Sequence, residues 1–155
     1  MKRLDTLFLQ EKPAKALLFV KGSKRPIYTT IVSKEIGATY AHTFNVLSKL
    51  EDLGLIHFER IGRIKLVILT ELGKETAEAL ERFNDMMQLA GLEARIKRIQ
   101  QKGVGLGRTT IAKRLAPCKR ELERLARRAP NVKEMAEKLL KRIETIGRSG
   151  RKSST

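Results

Sequence analysis

Five polar residues are spaced so that they share one side of a helix, and their side chains are of the kinds that contact nucleic acids. They are Thr39, Tyr40, His42, Asn45 and Lys49. An asparagine amide can form two hydrogen bonds with an adenine in the major groove, so Asn45 is the best candidate for reading a base. Lys49 on the same face would reach a backbone phosphate. The alternative interpretation is the solvated outer face of an ordinary surface helix.

Two further groups of residues could contact the nucleic-acid backbone. Thr29 and Thr30 begin the preceding predicted helix and would reach phosphates. Arg60, Arg63 and Lys65 lie on or near a predicted β-hairpin, where we expect a clamp on the backbone. Arg60 and Lys65 have an alternative role, because charged residues also protect the open edge of a sheet from unwanted pairing.

The elements that must position these residues follow from the spacing of apolar residues. Spacings of three and four predict helices, and the two short runs on either side of 61–63 predict strands of a tight hairpin. The predicted bounds are 12–21, 28–36 and 39–53 for the first three helices, 55–60 and 64–69 for the strands, and 71–90 for the fourth helix. Thr39 and Thr70 are the predicted N-caps of the third and fourth helices. This order is that of a winged helix-turn-helix domain, whose third helix enters the major groove.

Three passages resemble MarR-type regulators of archaea and bacteria, with archaea favoured as the source. They are SKEIGATYAHT at 33–43, LEDLGLI at 50–56 and LTELGKE at 69–75. The resemblance covers about residues 12–88. It implies a DNA-binding fold with the helix from Thr39 in the major groove, and a homodimer formed through terminal helices. The predicted wing is shorter than is usual in MarR proteins, which argues against deep reading of the minor groove.

Charge divides the sequence into two unlike halves. The formal net charge is +16, which limits the partners to polyanions, namely DNA, RNA or an anionic membrane. Residues 1–91 carry 14 Lys/Arg and 11 Asp/Glu, a net of +3, whereas residues 92–155 carry 19 and 6, a net of +13. A membrane surface is the least favoured partner, because the basic helices lack Trp and their apolar sides are needed for a core.

The second half is predicted to be entirely helical. A glycine-rich break at 103–107 precedes a helix from about Thr109, which Pro117 either kinks or divides, and a last helix runs from Pro130 to Gly147. The break lacks the Gly-Lys-Ser/Thr of a phosphate-binding loop and does not follow a strand, so we interpret it as a flexible joint. Arg108, beside a helix N-terminus, could still bind a backbone phosphate.

One stretch of this half is strongly basic. Only Glu121 and Glu123 oppose its seven cations. The cations are Lys113, Arg114, Lys119, Arg120, Arg124, Arg127 and Arg128. A run of charge usually marks a solvated helix face, but here local neutralisation is incomplete. We therefore predict a second nucleic-acid-binding surface in this stretch.

The sequence predicts a mainly α protein with one small two-stranded β-hairpin. Residues 1–90 form the winged helix-turn-helix domain, 91–147 a basic helical region for dimerisation or a second nucleic-acid contact, and 148–155 a disordered basic tail. The apolar stripe within 80–99 is either a dimer interface or part of the chain's own core. We expect a protein that binds double-stranded DNA, as a transcription regulator or a chromatin-like architectural protein. An RNA- or ribosome-associated protein is the alternative.

The same residues argue against several other classes of protein. No nucleophile with a neighbouring base, paired acids or metal-ligand set is recognisable, so the sequence predicts neither an enzyme nor a cofactor. Cys118 stands alone and the two histidines are distant from it, which excludes an internal disulfide and a zinc site. With no long apolar run and no signal-peptide pattern, we expect a cytoplasmic, nucleoid-associated protein.

Overall fold

The computed structural model of the chain describes residues 10–149. Within that range, three helices precede a two-stranded antiparallel hairpin, and three longer helices follow it. The elements are α1 (Glu11–Gly22), α2 (Thr29–Glu35), α3 (Tyr40–Asp52), β1 (Ile56–Ile61), β2 (Ile64–Leu69), α4 (Glu71–Lys102), α5 (Arg108–Arg128), a 3₁₀ turn (Pro130–Val132) and α6 (Lys133–Ser149). This order confirms the predicted fold class, a winged helix-turn-helix followed by an all-helical region.

The chain forms two compact units, and the division falls after Glu81. Each unit has its own apolar core. In the first unit, the residues of α3 that face inward recur at spacings of three and four, as the sequence predicted. They are Thr43, Val46, Leu47 and Leu50. Because one side of α3 is committed to this core, its opposite side faces solvent.

Backbone hydrogen bonds pair the two strands of the hairpin and join the hairpin to the rest of the first unit. Its strands pair from Ile56 opposite Leu69 to Ile61 opposite Ile64. Gly62 has φ +60°, a left-handed conformation that glycine adopts without strain in a tight turn. The Val67 N–H also donates to the carbonyl oxygen of Ile27, over 2.8 Å, so the segment before α2 anchors the second strand.

The Leu-Thr-x-x-Gly passage joins the hairpin to α4 by a close approach of two backbones. Thr70 caps the helix, because its Oγ1 accepts from the Gly73 N–H over 2.9 Å and donates to the Gly54 carbonyl oxygen over 2.7 Å. A Cβ atom placed on Gly73 would lie only 1.9 Å from the carbonyl oxygen of Leu55. Glycine is therefore required at this position for the helix to meet the strand.

The fourth helix does not end near residue 90 as the sequence predicted. α4 continues to Lys102, for 32 residues. Gly91 is the only break signal in its middle, and one exposed glycine costs a helix only about 1 kcal/mol. Leu92 and Ile96 are buried in the core of the second unit, which favours the continuous helix. Within the stripe at 80–99, Leu89, Leu92 and Ile96 thus belong to the chain's own core, whereas Phe83 and Met87 are exposed.

The second unit is built from α5, α6 and the C-terminal part of α4. Pro117 lies within α5 and neither ends nor begins a helix. The predicted end of α6 at Gly147 is wrong, since the helix runs on to Ser149. Arg148 and Ser149 of the predicted disordered tail are therefore helical, and residues 150–155 of it lie outside the described part of the chain.

Candidate nucleic-acid interface

The front of α3 carries the predicted base-reading residues in an exposed position. Tyr40 is 57% exposed, and His42, Asn45 and Lys49 are also exposed. The Oγ1 of Thr39 accepts a hydrogen bond from the His42 N–H over 3.3 Å, which confirms the predicted N-cap. The cap stabilises the first turn of α3, in which Tyr40 and His42 are exposed to solvent.

An aromatic stack connects α3 with the hairpin. The rings of Tyr40 and Phe44 are 6.4 Å apart at an interplanar angle of 12°, and those of Phe44 and Phe58 are 5.8 Å apart at 19°. The Nζ of Lys65 lies over this stack, 4.0 Å from the Phe58 ring centre and 5.1 Å from that of Phe44. Lys65 is therefore held beside α3 by cation–π contact instead of extending freely into solvent.

The strand register explains this position of Lys65. Alternate residues of a strand share a face, and residues opposite each other in a pair lie on the same face. Arg60 pairs with Lys65, and Phe58 pairs with Val67. Phe58 and Lys65 are thus diagonal neighbours on the face that also holds buried Val67.

Arg60 and Lys65 place two positive charges opposite each other, an arrangement that normally destabilises a sheet. Within residues 10–149, no carboxylate forms an ion pair with Arg60, Arg63 or Lys65. The face of the hairpin beside α3 therefore carries positive charge that the described residues leave uncompensated, and an anion bound there would be stabilising.

An open cleft of about 430 Å³ lies between the start of α2, the start of α3 and the hairpin. It brings together five of the predicted site residues, which come from three separate elements. They are Thr29, Thr30, Tyr40, Arg63 and Lys65. With Tyr28, which also lines it, the cleft therefore combines hydroxyl donors, two aromatic rings and two cations, a set of groups that suits a phosphate and an adjoining sugar or base.

The remaining candidates of the first unit are distributed differently. Thr29 lines the cleft but is only 4% exposed, whereas Thr30 is exposed, so Thr30 is the residue of this pair that offers more surface to a ligand. Successive helical residues point about 100° apart, which explains why the two threonines differ in exposure. Asn45 and Lys49 lie further along α3, and Arg60 is exposed on β1 without lining the cleft.

Three of the predicted cations in the second unit have roles within the chain. Arg128 forms an ion pair with Asp85 over 3.2 Å and donates to the Gln88 Oε1 over 2.6 Å. Arg108 donates through Nε to the carbonyl oxygen of Gly147. Arg127 donates through Nε to the carbonyl oxygen of Glu123, over 3.2 Å, within its own helix.

The other predicted cations of this unit form no such contacts with residues 10–149. They are Lys113, Arg114, Lys119, Arg120 and Arg124. Lys119 is half-buried, and the other four are exposed. The predicted basic stretch is therefore a mixture of structural arginines and free surface charge.

Sequence reasoning missed Phe44 and Phe58 as parts of the site. The spacing of Tyr40 and Phe44 is a detectable signal, because residues four apart meet on a helix surface. The contribution of Phe58 depends on the strand register and on its distance from α3. The backbone N–H of Phe58 also donates to the Glu51 Oε1 over 3.0 Å, a contact that the sequence did not predict and that joins the hairpin to the end of α3.

Other kinds of site find little support in the part of the chain described. Within residues 10–149, no three His, Cys, Asp or Glu side chains are grouped as metal ligands. None of the helices in the same range is long and apolar enough to cross a bilayer. Burial raises the pKa of the Cys118 thiol, which favours its protonated, unreactive form.

The comparisons with known proteins establish the fold. No protein-family model matches the sequence, and no curated protein matches it. The crystal structure of AF1382 from Archaeoglobus fulgidus is similar with a TM-score of 0.50 and 19% identity, over 55% of this chain and 97% of that one. That of MepR, a transcription regulator of the Staphylococcus aureus multidrug efflux pump MepA, is similar with a TM-score of 0.52 and 20% identity, over 58% of this chain and 70% of MepR. At such identities the likeness establishes a winged-helix fold and nothing finer.

Proposed function

We propose that this protein is a transcription regulator of the MarR type that binds double-stranded DNA with α3 in the major groove. The observation that carries the proposal is the juxtaposition of the exposed polar front of α3 with the uncompensated cations of the hairpin. A major groove about 12 Å wide admits one helix, and the first turns of that helix reach the base edges. The fold shared with MepR, itself described as a transcription regulator, supports the same function.

The proposed site residues are of two kinds, those that recognise the base sequence and those that bind phosphates and so position the protein on the duplex. Asn45 and His42 are exposed on the front of α3 and are the proposed readers of base edges. Thr30, Arg63 and Lys65, which share the cleft beside α3, are the proposed contacts to phosphates. Because the Lys65 ammonium already rests on the aromatic stack, it loses little side-chain freedom when a phosphate binds.

The proposal is tested by selecting a preferred duplex from a random library and measuring its affinity for the Asn45→Ala variant. Loss of two hydrogen bonds to a base should weaken binding to the selected site by about 1–3 kcal/mol and leave binding to unrelated duplexes unchanged. Asn84→Ala is the matched control, since Asn84 is an exposed asparagine of α4 in the other unit. Equal affinity of wild type and Asn45→Ala for the selected site would contradict base reading by α3.

A competition with structured RNA separates the proposal from the RNA-associated alternative. Duplex DNA should displace RNA from the protein at moderate salt, because α3 fits the major groove of B-form DNA and the deep, narrow groove of an RNA helix excludes it. Tighter binding to RNA would favour the alternative. On the genome, a regulator should occupy discrete sites, whereas a chromatin-like architectural protein would give continuous coverage.

We also propose that the protein acts as a homodimer. Three large apolar side chains on adjacent turns of α4 are exposed, namely Phe83 at 53%, Met86 at 57% and Met87 at 56%. Helix-turn-helix dimers read two half-sites one helical turn apart, so a second copy is the expected partner of these three side chains. Sedimentation of the wild type should give a dimer and that of Phe83→Ser/Met87→Ser a monomer. A monomeric wild type would contradict this part of the proposal.

A further inference from the structure

The outward side of α5 carries a row of four cations, here called the α5 stripe. It consists of Lys113, Arg120, Arg124 and Arg127. Successive helical residues are about 100° apart, which puts these four on the side opposite the buried Leu115, Cys118 and Leu122. All four stripe residues are exposed, so the row faces solvent along most of the helix.

In the described part of the chain, no carboxylate is paired with a residue of this row. Glu121 and Glu123 are half-buried at its two sides, and Glu121 lies 3.8 Å from Arg95 of α4. Within residues 10–149, no stripe residue forms an ion pair, and Arg127 uses only its Nε, toward the carbonyl oxygen of Glu123. Like charges three and four residues apart destabilise a helix, so a bound polyanion would relieve repulsion within the stripe.

The neighbouring helix shows that this arrangement is not a general property of the unit. α6 also exposes several cations, but they alternate with exposed carboxylates. The carboxylates are those of Glu134, Glu137 and Glu144. Lys138 of α6 pairs with Glu134 over 2.8 Å. The outward face of α5 therefore differs from α6 in that no exposed carboxylate alternates with its cations.

We propose that the α5 stripe is a second binding surface for double-stranded DNA, which contacts the phosphate backbone without reading sequence. From Lys113 to Arg127 the stripe rises about 21 Å along the helix axis at about 1.5 Å per residue. One strand of B-DNA presents a phosphate about every 3.4 Å of its axis, so several phosphates fall within this length. The inference extends the proposed function, because it gives the same ligand a contact outside the winged-helix unit.

The chemistry of α5 favours duplex backbone over other polyanions. The helix contains no aromatic residue, whereas proteins that hold single strands stack bases on aromatic side chains. Its apolar side is buried in the core of the unit, so it has no free face to insert into a membrane. Arginine, the main component of the stripe, binds phosphate oxygens through two parallel hydrogen bonds.

The test compares two variants of the full chain that lose the same formal charge from the same unit. The stripe variant carries Lys113→Gln, Arg120→Gln, Arg124→Gln and Arg127→Gln. The control variant carries Lys133→Gln, Lys138→Gln, Lys141→Gln and Arg148→Gln, all on α6. Affinity for a labelled duplex is measured by fluorescence anisotropy between about 50 and 200 mM salt, where phosphate contacts determine the slope of log affinity against log salt.

The stripe variant should bind the duplex about 10- to 100-fold more weakly near 0.1 M salt, with a slope shallower by about 2–4, since each phosphate contact contributes about 0.9. The control variant should change the slope by less than about 1. Equal changes in both variants would show a general effect of net charge and would overturn the inference. So would an unchanged slope in the stripe variant.

Two further measurements keep the result interpretable. Circular dichroism reports whether the fourfold variant keeps its helices, and if it does not, Arg120→Gln/Arg124→Gln replaces it with an expected slope change of about 1–2. Polyglutamate of matched charge should compete for the stripe far less well than duplex DNA. Equal competition would assign the surface to acidic proteins and overturn the inference.

Failure of this inference can be distinguished from failure of the proposed function. Asn45→Ala should reduce the preference for the selected site and leave the salt slope unchanged, whereas the stripe variant should make the slope shallower and leave the preference unchanged. An unchanged salt slope in the stripe variant, with site preference lost in Asn45→Ala, would overturn the second surface alone. Site preference retained in Asn45→Ala, with a shallower slope in the stripe variant, would overturn α3 as the reading element alone.

Discussion

Arg128 and Arg124 are exposed arginines of the same helix, yet the structure gives them different roles. Arg128 forms an ion pair with Asp85, whose side chain is only 11% exposed, and donates to Gln88. Arg124 forms no ion pair or hydrogen bond with the described residues 10–149. We therefore predict that Arg128→Gln lowers the free energy of unfolding, and that Arg124→Gln weakens DNA binding with little effect on unfolding.

The expected loss of unfolding free energy in Arg128→Gln follows from the groups that the substitution leaves without a partner. A hydrogen bond to a charged group contributes about 1.5–3 kcal/mol, and loss of the partner leaves the nearly buried Asp85 carboxylate uncompensated. Because Arg128 is 58% exposed, water can partly replace it, so we expect a loss of about 2 kcal/mol and not the larger cost of a fully buried pair. Arg124→Gln should change the unfolding free energy by less than about 0.5 kcal/mol.

The assay is urea unfolding followed by circular dichroism, combined with the salt dependence of duplex binding. The two units have separate cores, so the transition that involves α5 is the relevant one. Asp85→Asn with Arg128→Gln completes a double-mutant cycle that isolates the ion pair. The reasoning would be refuted if Arg128→Gln left unfolding unchanged and reduced the salt slope as much as Arg124→Gln does.

Two other predictions concern the winged-helix unit and the long helix. Gly73→Ala should destabilise the protein by more than about 3 kcal/mol, because its Cβ would overlap the Leu55 carbonyl oxygen, whereas Gly91→Ala, with open space around it, should stabilise the protein by about 0.5–1 kcal/mol. Equal effects in thermal unfolding would contradict the close approach at Gly73. Lys65→Gln should lower stability by about 0.5–1 kcal/mol through loss of the cation–π contact and should also weaken duplex binding several-fold. If Arg63→Gln weakened duplex binding and lowered stability as much as Lys65→Gln, the cation–π contact of Lys65 would not explain its effect.

The sequence was sufficient where local patterns determine structure. The apolar spacing of α3, its Thr39 cap and the hairpin between residues 55 and 69 are encoded within short stretches, and the structure confirms them. The sequence did not predict that Thr30, Tyr40, Arg63 and Lys65 share one cleft, because this depends on how three elements pack together. Thr29 and Thr30 show another limit, since two adjacent threonines with the same chemistry differ in exposure.

Other features depend on contacts between distant residues, which local patterns do not encode. The stack of Lys65 on Phe58 requires the strand register, and the pairing of Arg128 with Asp85 requires the packing of α5 on α4. The continuation of α4 through Gly91 is decided by the burial of Leu92 and Ile96 in a second core, which outweighs the weak break signal. At these points the predicted helix end is wrong, and Arg128 has partners within the chain that the sequence did not predict.

The central claim is that the front of α3 enters the major groove of duplex DNA. It is tested most directly with a duplex of the selected sequence whose cytosines carry bulky glucosyl groups on their 5-position substituents, which fill the major groove and leave the phosphates and the minor groove unchanged. The account predicts that this duplex binds the wild-type protein no better than an unmodified duplex binds Asn45→Ala. Undiminished affinity for the filled groove would contradict it.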